Sequence, residues 1–246
     1  VLEAETIGWG ASSRNGGMAL TGLKPAMQTV IKKYGRELAK ELFQCSLESV
    51  DIVERIVKEE NINCGFARTG HLLTANKPKH YDALKDEVDF MAKEFNHNVR
   101  LVPPKDLRSE IGTDMYHGAL VDEVSGGLNP AQYAAGLADA AARAGATLCA
   151  RARVTKIVRS EKRRPATAGS VEGRFFIQTE RGSLEAESVL VATSGYTGRV
   201  TKKLQKKIIP IGSFIIVTER LSAELAHELS PKNRMIFDYR HFLNYF

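Results

Sequence analysis

Ten residues near the start of the chain, Gly8-Trp9-Gly10-Ala11-Ser12-Ser13-Arg14-Asn15-Gly16-Gly17, constrain its folding more than any other stretch. Small side chains at this density let the backbone turn tightly and approach a neighbour or a ligand closely. Before them, Val1-Leu2-Glu3 reads as the end of a buried strand closing on an acid. Gly and Ala leave backbone N–H groups able to reach an anion. Arg14 adds a cation and Ser12 a hydroxyl suited to phosphate oxygens, and Asn15 can both donate and accept. On the residues alone, an anion-binding loop and an ordinary surface loop both remain open.

A second signal lies at Val189-Leu190-Val191-Ala192-Thr193-Ser194-Gly195. A short apolar run meeting a small-residue turn predicts a buried strand, residues 188–193, at the carboxyl edge of a parallel sheet, where ligands bind. A plain buried strand and turn would look the same. The pattern between the two signals is mixed. Residues 27–60 recur with helical spacing, and Gly35 separates a short helix from a long one. Strands are expected at 70–75, 99–102 and 118–122, a helix at 79–95 and a short helix at 105–110. Asn129 suits an N-cap and Pro130 the first helical position, opening an Ala-rich helix over 131–144 that Gly145 ends. Strand character follows at 147–158, then a charged loop at 160–173 and a hairpin over 174–187 around Arg181-Gly182. Residues 208–218 read as β-like, 223–229 as a helix, and 235–239 and 242–246 as strands.

Composition narrows the function classes. The 246 residues are 43% hydrophobic and 26% charged, an ordinary globular balance. A net charge of +6 leaves nucleic acid, a membrane surface or an acidic ligand open. The positive residues are scattered, however, apart from Lys202, Lys203, Lys206 and Lys207 and a run at 162–164, and no aromatics interleave them, so no nucleic-acid partner is expected. No apolar run is long enough to span a bilayer. The odd cysteine set, Cys45, Cys64 and Cys149, has no CxxC spacing. It predicts reduced thiols and a cytoplasmic location rather than a disulfide framework. The histidines lack metal-ligand spacing, and no metal is expected.

Together, the opening VLEAE, then GWGASSRNGG, the turn at 125–130 leading an Ala-rich helix, and VLVATSGYTG resemble the D-amino-acid-oxidase-like flavoprotein superfamily. The nearest branch is of the gamma-glutamylputrescine oxidoreductase and glycine oxidase type. The resemblance runs through the whole chain in order, to residues 210–221, and GASxRNGG is its most specific element. It implies an α/β fold with an α+β insert. An incomplete Rossmann-like FAD-binding domain (1–34 and 125–205) would join an antiparallel-sheet substrate domain (35–124 and 206–246). The first βα unit with its phosphate-binding glycine loop, and a C-terminal flavin-closing segment, are expected to lie outside the chain.

FAD is the implied cofactor. Glu3 would hold the adenosine ribose, as the acid ending the second strand does in dinucleotide-binding units. Ala11, Ser12, Arg14 and Asn15 would follow the pyrophosphate and ribityl chain, and Gly16, Gly17 and Met18 would approach the isoalloxazine. Val154 would meet the adenine through its backbone, and Ala192, Thr193 and Gly195 would pack near the ADP moiety, with Tyr196 a further candidate. The implied activity is oxidation of a C–N bond in a small-molecule amine or amino acid, with oxygen or another acceptor reoxidising the flavin. A remnant of such a flavoprotein that does not bind FAD is the alternative. No catalytic residue is assigned; His71, Tyr239, Arg240 and Tyr245 are positional candidates for the substrate side. Neither the substrate nor the oligomeric state can be read from the residues.

Overall fold

A computed structural model of the chain describes residues 1–159, 174–240 and 244–246. Its elements are β1 (Met18–Ala19), α1 (Met27–Tyr34), α2 (Arg36–Glu59), β2 (His71–Thr74), α3 (Pro78–Phe95), β3 (Arg100–Val102), β4 (Ala119–Asp122), β5 (Gly126–Gly127) and α4 (Pro130–Arg143). They continue with β6 (Val154–Arg159), β7 (Phe175–Thr179), β8 (Gly182–Ala186), α5 (Lys202–Gln205), α6 (Ala223–Leu229) and β9 (Met235–Asp238). The chain divides into two compact units: Val1–Trp9 with Ala138–Ile215, and Gly10–Leu137 with Ile216–Phe246.

The unit built on Gly10–Leu137 is organised by a four-stranded sheet in the order β3-β4-β2-β9. Strands β3 and β4 and strands β4 and β2 pair antiparallel, whereas β2 and β9 run parallel. Alternation along β2 sends Leu72 to one face and Leu73 to the other. Leu72 packs with Val102, Leu107, Val121 and Ile236. Leu73 faces a cluster of Ala75, Leu84 and Leu120, to which α3 contributes Leu84. A third cluster joins Met27 and Val30 of α1 to Ala39 and Phe43 of α2 and Met91 of α3. In α2 the buried residues Ala39, Phe43, Ser46 and Val50 fall three to four apart on one helical face. Gly35, at φ 86°, breaks the path between α1 and α2 as its position in the sequence predicts. Arg234, 7% exposed, anchors the start of β9 through its guanidinium to Glu110 (2.7 Å), Glu123 (2.6 Å) and the Thr69 carbonyl (2.7 Å).

The other unit contains the antiparallel sheet β6-β7-β8. The chain start lies beside residues 147–152: Glu3 N donates to Cys149 O, Cys149 N to Val1 O, and Ala152 N to Glu3 O.

Several sequence expectations hold. Asn129 caps α4, its Oδ1 accepting from Ala131 N (3.0 Å) and Gln132 N (3.1 Å), and Gly145 follows the helix at φ 93°. The helices at 79–95 and 223–229, the short helix near 105–110 and the hairpin at 174–187 form within a few residues of the expected places.

Others do not. Residues 188–193 are not a buried strand: no described strand pairs with them and Leu190 is 91% exposed. Residues 208–218 likewise form no strand, with Phe214 93% exposed. An apolar run becomes a buried strand only when neighbours satisfy its backbone and cover its faces, and no described segment does so here. Residues 1–3 contribute one parallel bridge, Leu2 with Cys149, rather than a ladder, and the strand expected at 147–158 begins only at Val154, after Arg151 turns at φ 51°. Of the strand expected at 242–246, residues 242 and 243 lie outside the described residues, and the rest pairs with β9 through a Tyr245–Phe237 bridge and the Ile236–Phe246 hydrogen bonds. The charged loop at 160–173 lies outside the described residues.

Candidate functional site

In the first unit, the strand end after Val1 sets Glu3. Its Oε1 accepts from Glu5 N at 2.9 Å, which orients the carboxylate and leaves Oε2 for another donor. Glu3 O accepts from Ala152 N at 2.8 Å, two residues before Val154. Glu3 and the first residue of β6 are therefore neighbours. Farther along, Ala192, Thr193 and Gly195 are exposed. Tyr196 N donates to Thr193 O (2.9 Å), and Thr193 Oγ1 lies 2.7 Å from Thr197 Oγ1, closing a tight turn. The ring of Tyr196 meets that of Trp9 edge-on at 5.9 Å and 61°. Trp9, six residues after Glu3, is thus in contact with the turn at Gly195.

In the second unit, the loop 10–17 is shaped by its own asparagine. Asn15 Nδ2 donates to Ala11 O (2.9 Å) and Ser12 O (3.2 Å), and its Oδ1 accepts from Gly17 N (2.8 Å). The side chain is engaged in closing the loop. Ala11, Ser12, Arg14 and Gly16 are exposed, and the N–H groups of Ala11, Ser12 and Gly16 meet no acceptor among the described residues. Gly17, at φ 66°, is irreplaceable sterically: a Cβ there would lie 1.9 Å from Leu128 O. Leu128 N donates back to Gly17 O at 2.9 Å, and Met18 pairs with Gly127. Tyr245 covers Gly16, its ring 3.0 Å from where a Cβ would stand.

These features fit the dinucleotide that the resemblance implies. A preset carboxylate suits ribose hydroxyls, and a glycine-rich loop with unengaged N–H groups suits phosphate. Glu3, Val154, Ala192, Thr193 and Gly195 belong to one unit, and Ala11, Ser12, Arg14, Asn15, Gly16, Gly17 and Met18 to the other.

The second unit also holds a cavity of about 390 Å³, which His71, Tyr239 and Arg240 help to line. Sequence reasoning named those three by position and missed the rest of its polar wall. Thr21 Oγ1 donates to Asp122 Oδ2 (2.5 Å), His97 Nε2 lies 2.8 Å from the same oxygen, and Val124 N donates to Oδ1 (2.8 Å). Burial pushes the Asp122 carboxyl up, but the bonds from His97, Thr21 and Val124 outweigh it and hold the pKa at about 2. Burial pushes the His71 imidazole down, against a smaller opposing pull from Asp122. The cavity therefore contains a fixed carboxylate beside a neutral imidazole. Gly22 N donates to Ser46 Oγ (2.9 Å), tying the segment after Thr21 to α2. An acid ending the apolar run of β4 was the one sequence signal for Asp122.

Among the described residues no helix is long and apolar enough to cross a membrane. The model of the FAD dependent oxidoreductase family, DAO, matches residues 1–246. Gamma-glutamylputrescine oxidoreductase of Escherichia coli (strain K12) is 32% identical over all of this chain and 55% of its own length. The probable oxidoreductase OrdL of Haemophilus influenzae is 29% identical over all of this chain and 56% of its own. The chain spans about half the length of the curated relatives it matches. Among solved structures, glycine oxidase from Geobacillus kaustophilus superposes with a TM-score of 0.59 at 21% identity, covering 82% of this chain and 50% of that one. L-proline dehydrogenase from P. horikoshii gives 0.61 at 16% identity, covering 97% and 57%. These likenesses show the fold, and the family match over every residue shows that the chain belongs to the FAD dependent oxidoreductase family.

Proposed function

We propose that the protein oxidises a C–N bond of an amine or amino acid, using FAD as the hydride acceptor and giving an imine. The family match over residues 1–246 carries this reading. The names of the relatives, among them gamma-glutamylputrescine oxidoreductase and glycine oxidase, support the substrate class. FAD, when bound, would supply the redox chemistry as a hydride acceptor. The chain's part is to bind and orient. Glu3 accepts from ribose hydroxyls through the oxygen that Glu5 leaves open, and Val154 meets the adenine. Ala192, Thr193 and Gly195 pack against the ADP half. Ala11 and Ser12 offer N–H groups to the pyrophosphate while Arg14 supplies charge. Asn15 holds that loop in shape, and Gly16, Gly17 and Met18 allow close approach of the ring. Residues 1–34 and 125–205 form the FAD-binding part, and 35–124 and 206–246 the substrate part.

Titration with FAD tests the cofactor half of the reading. Trp9 is the sole tryptophan and stands beside the proposed ADP contacts, so its fluorescence is expected to fall with a one-to-one end point. A flat titration would support the alternative, a remnant that does not bind flavin. Anaerobic bleaching of the flavin-loaded protein by primary or secondary amines tests the chemistry; a flavin that stays oxidised with every amine and amino acid tried would exclude it.

A further inference from the structure

The chain's unbalanced positive charge is concentrated in one segment. Between Glu187 and Glu219 there is no acidic residue, while Arg199, Lys202, Lys203, Lys206 and Lys207 supply five cations. This segment therefore accounts for +5 of the net +6, and the rest of the chain is nearly balanced. Helix α5 and the turn that ends it fix four of the five. Lys206 N donates to Lys202 O (3.1 Å) and Lys207 N to Leu204 O (2.9 Å), so helical geometry continues to residue 207. Lys202 lies one turn from Lys206, and Lys203 one turn from Lys207. Such like-charge pairs repel, and none of the five cations has an ion-pair partner among the described residues. All five are exposed. The patch gains from a layer of negative charge laid over it.

What adjoins the lysines identifies that layer. Directly after Lys207 the chain turns apolar, and Ile209, Ile211 and Phe214 stand 84%, 85% and 93% exposed. Duplex nucleic acid would neutralise the lysines and leave these side chains in water. A second copy would cover the apolar residues but bring five more cations against the first five. The surface of an anionic bilayer meets both needs: headgroup phosphates lie against the lysines, and the acyl boundary beneath takes the apolar side chains. The backbone limits the depth. Residues 208–215 pair with no described strand, so their N–H and C=O groups need water and stay at the headgroup level rather than enter the hydrocarbon. We propose that residues 199–215 dock the protein onto an anionic membrane surface, with the lysines on headgroup phosphates and Ile209, Ile211 and Phe214 in the interface. The docking is peripheral and does not depend on flavin chemistry.

Vesicle flotation of the full 246-residue chain tests this docking. The chain should rise with vesicles of equal parts phosphatidylcholine and phosphatidylglycerol, stay below with phosphatidylcholine alone, and be released as salt is raised. Neutralising two cations together, Lys203→Gln with Lys207→Gln, should weaken binding about twentyfold, roughly fivefold for each charge near the surface. Phe214→Ser should weaken it about tenfold, the share of one large apolar side chain. Lys40→Gln removes an exposed charge from α2 and should leave binding within about twofold of the parent. Equal flotation with both lipid mixtures, no flotation with either, or as large a loss in Lys40→Gln would overturn the proposal. A loss confined to the lysine variant, with retention on duplex DNA, would give the patch to nucleic acid instead and overturn it too. A chain that self-associates through Phe214 yet never floats would give the face to a second copy. Should a variant not fold, the lipid and salt dependence of the parent chain decide.

Discussion

Strand β2 and the stretch at 188–193 look alike in sequence and end up in opposite environments. Both are short apolar runs leading to a turn. In β2, Leu72 is completely buried because β4 pairs on one side and β9 on the other. In the other stretch Leu190 is 91% exposed, and no described strand lies beside it. Residues 208–218 repeat the second case, with Ile209 84% and Ile216 98% exposed. Apolar composition says that a segment gains by being covered, worth about 25 cal/mol per Å². It does not say which other segment covers it. That information is non-local, and it distinguishes a core strand from an exposed run with unpaired backbone, a form that attracts strand pairing.

The largest effect that sharpens this contrast comes from truncating the two leucines. Leu72→Ala is expected to cost about 4 kcal/mol, the upper range for a leucine lost from a packed core. Leu190→Ala should change stability by less than about 0.5 kcal/mol. Urea unfolding of both variants measures the difference, and comparable losses would mean that the 188–193 run is covered after all.

Next in size is the polar floor beside that core. Asp122→Ala strands the His97 ring, the Thr21 hydroxyl and the Val124 N–H, at an expected cost of about 3 kcal/mol. The acid limb gives a second measure. The folded Asp122 pKa of about 2 lies below its ordinary 3.8. As the pH falls the unfolded chain binds this proton first, so the contribution, about 2 kcal/mol, is complete above 3.8 and is lost as the pH falls towards 2. His71 acts at higher pH in the same direction: its folded pKa is lowered, so below its ordinary 6.5 the unfolded state gains the proton and stability declines. In Asp122→Ala the acid unfolding transition should lose its lower component; an unchanged profile would show that Asp122 is not ionised in the fold.

How much of this was legible follows from the same contrast. Local chemistry was readable: Asn129 before Pro130 marks a helix start, and Gly35 and Gly145 mark breaks, because caps and turns depend on a few adjacent residues. The glycine-rich loop and its glutamate were readable as a possible ligand cradle for the same reason. The cavity was not. Thr21, His71, His97, Asp122 and Ser125 are each unremarkable where they stand, and only the pairing of β2 with β4 and the path of the loop after Met18 bring them together. Of that group, His71 alone was named for the substrate side, and only by position.

Two glycines of the proposed cofactor-binding stretches carry the comparison to smaller energies. At Gly17 a Cβ would strike Leu128 O, and φ is 66°; at Gly195 it would meet nothing within 4 Å. Gly17→Ala is expected to cost about 2 kcal/mol, and Gly195→Ala about 0.5 kcal/mol or less. If both variants melt together with the parent, Gly17 is not held as described.

The smallest effect on stability tests the exposed run itself. Phe214→Lys and Ile216→Lys each place a charge where a side chain more than nine-tenths exposed now stands. A solvated lysine has nothing to desolvate there, so unfolding should shift by no more than about 0.5 kcal/mol in either direction. What should change is association: a contiguous apolar stretch invites pairing between chains, and a charge blunts it. Sedimentation of the parent and the two variants over a range of concentrations reads this directly. Reduced self-association at unchanged stability is the expected result. A clear loss of stability would place these side chains against something in the folded chain, and the contrast between the covered and uncovered runs would then have to be redrawn at residues 208–218.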